Sequence, residues 1–168
     1  GRPEDRFRED PLRMLRAVRF AARFAGFGLS AQTADSIEYL AADLVQTISR
    51  ERICDELYKM LAVNPEKALV DIERVHILSE IIPQLVPLDV EKLQEICSRI
   101  SRLPRMQDGQ VAPDMIFVAL LFDLAKEELA ERMVESMSCD RLPANFFSIK
   151  ILREVARALK IPGIKDLV

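Results

Sequence analysis

This 168-residue chain has one histidine, three cysteines and five glycines, and each scarcity closes off a kind of chemistry. A lone His76 cannot build a zinc site, and no partner for acid–base catalysis is evident beside it. It reads as a satisfied or partly exposed helix residue. Cys54, Cys97 and Cys139 are far apart, odd in number and without metal-ligand spacing. Cys54 and Cys97 fall in helical patterns as small core residues, and the set fits a reduced, cytoplasmic setting. There is no run of about 18 apolar residues to span a membrane, and no signal peptide precedes the first helix. Strand-length alternation of apolar and polar residues is also missing. So are a glycine-rich phosphate loop and an Asp-x-Asp pair in a strand-like context. The expected fold class is all-α.

Charge is balanced overall. The net value of -3 gives no global electrostatic reason to bind nucleic acid. The basic character is local: positions 2 to 23 hold seven arginines against four acids.

Most of that patch lies in the stretch from Arg6 to Phe24. Arg13, Arg16, Arg19 and Arg23 are spaced by three, three and four, which puts them on one side of a helix. Glu9 stands one turn before Arg13. Asp10 sits at the helix start, before Pro11 at a first-turn position that suits proline. Met14, Ala17, Val18, Ala21 and Ala25 form another side, read as core. Arginine-rich amphipathic helices are often only solvated faces, with Glu-to-Arg pairs worth a few tenths of a kcal/mol. The order of residues here is more specific. Glu9-Asp10-x-x-Arg13 followed by Leu15-Arg16-Ala17-Val18-Arg19-Phe20-Ala21-Ala22 resembles the neck helix of the class II tRNA nucleotidyltransferases and bacterial poly(A) polymerases.

That resemblance implies a base-reading role for the element. A carboxylate only accepts hydrogen bonds and a guanidinium only donates them. Asp10 would accept from the exocyclic amino group of adenine or cytosine while Arg13 donates to a ring nitrogen. Guanine and uracil would leave buried polar groups unpaired, which is penalised heavily. Glu9 would orient the Arg13 fork, and Arg16 and Arg19 would face ribose and triphosphate. The implied partners are ATP, CTP and the tRNA 3′ end.

A second segment, Ser49-Arg50-Glu51-Arg52-Ile53-Cys54-Asp55-Glu56-Leu57, resembles the family's next motif. Ser49 is a good N-cap for a helix over 50–61. Glu51, Arg52 and Glu56 read as an ion-pair set bracing the first helix, which matters because a base-reading pair needs fixed rotamers.

Beyond these, helix follows helix. Gly26 and Gly28 close the first, with Phe27 a tie to the core. Ser30 caps a helix over about 31–43. Asn64-Pro65 opens another to about Val75, and His76 to Ile82 continues before Pro83. The block from Asn64 to Leu85 resembles the family's body, with Gln84 where a glutamate is usual. A further helix is expected from Pro87 to Arg102. Residues 104–113 form the best loop and a possible domain boundary. Asp114 caps an apolar helix over 115–126, which resembles the His-Asp helix of metal-dependent phosphohydrolase domains. Phe122 occupies the histidine position, so metal hydrolysis is not expected, and Asp123 becomes a cap or ion-pair residue. Helices over 127–137 and 144–160 complete a packing body. The division expected is a neck at 1–63 and a helical body at 64–168.

In the resembled family the head carries a carboxylate pair that holds Mg2+. No such pair is found here, so Gly1 is read as lying in the linker after a head, encoded in the same chain or separately. Alone, the chain is expected to bind no metal and to catalyse nothing. Arg99, Arg102, Arg105 and Lys150 are candidate contacts to the RNA backbone, which position RNA without reading it. Three readings stand open: a tRNA nucleotidyltransferase that adds CCA or only some of those nucleotides, a bacterial poly(A) polymerase, and a non-catalytic helical RNA-binding module.

Overall fold

A computed structural model describes residues 1–24 and 26–126 of the chain. Among them there are eight α-helices and no strand, and no helix is long and apolar enough to cross a membrane. Compactness divides the chain into two units, Gly1–Leu93 and Gln94–Val168.

The first unit opens with α1 (Pro3–Glu9) and α2 (Leu12–Arg23). The stretch from Arg6 to Phe24 is therefore two helices and not one. Asp10 is extended, at φ -147° and ψ 95°. A residue before proline is pushed out of the helical region, and Pro11 has no N–H to continue the ladder. α2 then buries Leu12, Met14, Leu15, Val18, Ala21 and Ala22, the spacing of a core-facing stripe. Ala17 is only half-buried, and Ala25 lies outside the described residues.

After α2 the chain turns through Gly26 at φ +82°, a conformation glycine adopts without a Cβ penalty. Phe27 is not the expected core tie. Its N–H bonds back to the Phe24 carbonyl at 3.2 Å, which holds its ring on the outside of the turn against Phe24, 69% exposed.

α3 (Ala31–Thr47) is capped by Ser30, whose Oγ accepts from the Thr33 N–H at 3.2 Å. It runs past the expected end near 43 because Leu44 continues the buried row of Ile37, Leu40 and Ala41. α4 (Arg50–Leu61) is capped by Ser49 as expected. α5 (Pro65–Arg74) is capped by Asn64, which accepts from the Lys67 N–H and donates to the Ala22 carbonyl. His76 takes left-handed backbone (φ 59°) between α5 and α6 (Ile77–Ile81). A 3-10 turn follows at Pro83–Leu85. α2 lies against α4 and α5, α1 against α3, and α3 against α6.

α7 (Val90–Ser101) starts later than Pro87. Asp89 is its cap, accepting from the Lys92 N–H at 2.8 Å. Just before it, the Glu73 carboxylate takes the Leu88 N–H at 2.7 Å and holds that segment off the helical path.

In the second unit the loop after α7 closes with one antiparallel bridge, Arg105 to Val111. α8 (Pro113–Lys126) begins before Asp114. The Met115 and Ile116 N–H groups bond to the Ala112 carbonyl, so Pro113 takes the first helical position and Asp114 the second rather than the cap. Every residue from Ile116 to Phe122 is buried, as expected of a helix apolar all round. The helices expected over 127–137 and 144–160, and Cys139, lie outside the described residues. Cys54 is buried and Cys97 half-buried.

Leu57 sits at the centre of the first unit's core, 1% exposed. Leu57→Ala is expected to cost about 2–5 kcal/mol through lost transfer energy and a residual cavity. Asn64→Ala should cost only about 1 kcal/mol as a lost cap. Urea unfolding of both variants checks the order, and equal losses would contradict it.

Candidate functional site

The site is built where α1 ends and α2 begins. The Asp10 Oδ1 accepts from the Leu12 N–H at 3.2 Å, satisfying one of the donors a helix start leaves open. The Arg13 N–H donates to the Asp10 carbonyl at 3.0 Å, so Asp10 and Arg13 are held on consecutive corners of the first turn. Arg13 Nη1 donates to Glu9 Oε2 at 2.9 Å and to the Arg6 carbonyl at 3.3 Å. Both side chains of the Glu9–Arg13 pair are exposed. Such a pair adds little stability, but it restricts where the guanidinium can point.

Further along α2 the arginines turn to a different partner. Glu56 of α4 has a side chain only 4% exposed. Its Oε2 accepts from Arg19 Nε at 2.8 Å and its Oε1 from Arg16 Nε at 3.3 Å. Both carboxylate oxygens are thus used, and each guanidinium is engaged through its inner nitrogen. Arg16 is 45% and Arg19 23% exposed on the side chain. Glu56 contacts α2 in the way expected of a brace, and Glu51 and Arg52 lie on the exposed side of α4. The sequence does carry a signal for the pairing. Glu56 stands within an apolar row with Ile53, Leu57 and Met60, and a carboxylate buried there requires a cation. Arg23, the last of the four, lies over the Phe24 ring with Cζ 5.7 Å from its centroid.

The scattered body cations are placed unevenly. Arg99 is buried and so is not an exposed phosphate contact. Its guanidinium donates to the Ala119 carbonyl at 3.0 Å, to Glu95 at 3.3 Å and to Asp123, and it lies 5.3 Å from the Phe122 ring centroid. Asp123 is the expected ion-pair residue, and the buried Phe122 helps seat its arginine. Arg102 and Arg105 are exposed, held locally by Ser98 and by the Gly109 carbonyl. Lys150 lies outside the described residues. His76 is exposed, with Nε2 3.2 Å from Glu38 Oε1. Among the described residues no three His, Cys, Asp or Glu side chains converge in a metal-binding arrangement.

Residues 26–88 match a family model described as the probable RNA and SrmB-binding site of polymerase A. Over 96% of its length the chain is 29% identical to poly(A) polymerase I of Salmonella typhimurium, covering 36% of that protein. It is 28% identical to the multifunctional CCA protein of Cupriavidus taiwanensis, over 95% of the chain and 40% of the relative. A CCA-adding enzyme of Actinobacillus succinogenes is 35% identical over 52% of the chain and 23% of its own length. The chain thus spans well under half the length of these relatives.

Removing Glu56 takes from Arg19, 23% exposed on its side chain, and from the more exposed Arg16 the carboxylate they share. Glu56→Ala is expected to destabilise the fold by roughly 2 kcal/mol, below the value for a fully buried pair because water reaches both arginines. Arg16→Ala should cost less than half of that, since Arg19 still neutralises the carboxylate. Denaturant titration of the two variants checks the difference; a larger loss from Arg16→Ala would contradict the assignment.

Proposed function

We propose that this chain is the neck and body of an enzyme of the poly(A) polymerase and CCA-adding family, one that extends RNA 3′ ends with the tRNA CCA end as substrate. The observation that carries this reading is the α1–α2 junction, where Glu9, Asp10 and Arg13 meet. In it, Asp10 accepts from the amino group of adenine or cytosine and Arg13 donates to the adjacent ring nitrogen. Glu9 steers the Arg13 fork. The outer nitrogens of Arg16 and Arg19 serve the ribose and triphosphate, while Glu56 fixes both side chains from behind. Glu51 and Arg52 support α4, and the neck at 1–63 passes the RNA to a body at 64–168. Arg102, Arg105 and Lys150 act as backbone contacts. Arg99 is left out because its guanidinium is occupied inside the body.

The residues described offer no fit for Mg2+. In this reading the metal belongs to a catalytic head outside these 168 residues, on the same chain or a separate one, acting in the cytoplasm. A poly(A) polymerase is the second reading, favoured by the family model over 26–88 and by the poly(A) polymerase I relatives.

Full-length protein supplied with tRNA ending before, after one and after two cytidines, with ATP and CTP separately, distinguishes the two. The first reading expects CTP to be added to the first two substrates and ATP to the third. Long ATP-only extension of any RNA end would favour the second. In the same assay Asp10→Ala or Arg13→Ala is expected to weaken preference for ATP and CTP over GTP and UTP by about 1–3 kcal/mol. Full selectivity in a stably folded variant would overturn the base-reading role.

RNA affinity should fall steeply with salt. Arg102→Ala with Arg105→Ala is expected to lessen the slope of log K against log salt by about one to two without altering base preference. An unchanged slope would place the RNA elsewhere.

A further inference from the structure

Three phenylalanines stand out on the surface of the first unit: Phe20, Phe24 and Phe27, exposed by 52%, 49% and 69%. They are close together. The Phe24 and Phe27 rings meet edge to face with centroids 6.0 Å apart, and Phe20 precedes Phe24 by one helical turn. Exposed apolar residues scattered singly need no explanation, but a contiguous group marks a contact surface.

The surroundings say what kind. Arg19 Cζ lies 5.0 Å from the Phe20 centroid and Arg23 Cζ 5.7 Å from that of Phe24. α2 contains no acidic residue. Aromatic faces interleaved with guanidinium groups suit a ligand that is flat and anionic at once. Unpaired RNA has both properties, offering bases to stack and phosphates to pair. A paired helix hides its bases and gains nothing from the rings.

The register along α2 adds direction. Phe20 and Phe24 follow Arg13 by seven and eleven residues, which returns them to nearly the same side of the helix. At 1.5 Å per residue they lie roughly 10 and 16 Å beyond the base-reading pair, a distance of about three to five nucleotides at ~3.4 Å each.

We propose that Phe20, Phe24 and Phe27, with Arg23, form a stacking surface for unpaired nucleotides of the RNA being extended. The inference rests on the RNA-extending reading above. It adds a place where single-stranded RNA is held by shape and stacking rather than by base edges.

The test measures binding by intact protein without nucleotide, using a labelled twelve-nucleotide oligo(A), a blunt RNA duplex of the same length and inorganic polyphosphate. A triple variant, Phe20→Leu, Phe24→Leu and Phe27→Leu, keeps apolar bulk while removing the rings. It is expected to lose about ten-fold or more in oligo(A) affinity, with duplex and polyphosphate binding unchanged. The matching triple tyrosine variant should restore affinity to within about three-fold. Unchanged oligo(A) affinity in the leucine variant overturns the stacking surface and leaves the Asp10 and Arg13 selectivity test unaffected. Equal losses on all three probes also overturn it, as a folding defect or pure charge effect. If the leucine variant dissolves a self-associated form and keeps its oligo(A) affinity, the patch is a protein interface and the proposal fails. Wild-type protein that binds no RNA probe at all overturns the RNA-extending reading itself.

Discussion

One buried carboxylate, that of Glu56, ties together two helices of the first unit. Glu56 projects from the apolar side of α4, and burial there would be costly without cations. Arg16 and Arg19 come from α2, one turn apart, and take one oxygen each. This ties α2 to α4 by a directional bond where apolar packing alone would allow sliding. It also commits the inner nitrogens of both arginines, so their outer nitrogens are displayed from fixed positions. The recognition face proposed for α2 therefore depends on a residue that itself lies out of solvent.

The second unit repeats the device with reversed charge. Here the buried group is a cation, Arg99, and it is satisfied by a carbonyl, two carboxylates and an aromatic face. In both cases a charge inside an otherwise apolar helix row fixes which neighbouring helix lies against it. These two polar anchors add directional contacts to the leucine and isoleucine core.

What the sequence revealed follows the range of each interaction. Ser30, Ser49 and Asn64 act as caps because a side chain reaching its own backbone three residues on needs no distant partner. The apolar row of α2 is equally local, and Met14, Val18 and Ala21 are buried as its spacing indicates. Phe27 was misplaced because exposure depends on which way a turn leaves the core. Arg99 was misplaced because a lone arginine in a helix looks the same whether solvated or buried; only Asp123 and the Ala119 carbonyl, more than 20 positions on in the first case, decide it. At the candidate site the Glu9 to Arg13 pairing was legible, because it follows from a spacing of four residues. The division of labour among the arginines was not, because it is set by Glu56, 37 positions beyond Arg19.

The break at Asp10 has a consequence for how this region tolerates change in chain length. Glu9 ends one helix and Arg13 lies in the next, so their pairing spans a joint of two residues, Asp10 and Pro11. One residue added or lost within α1 would rotate everything before it by about 100°, and one added at the joint would swing Glu9 away from Arg13. The loop between α7 and α8 is exposed from 104 to 110 and its bonds there close within the loop, so it can absorb insertions. Length variation among related chains is thus expected to gather around 104–112 and to be absent between 9 and 13.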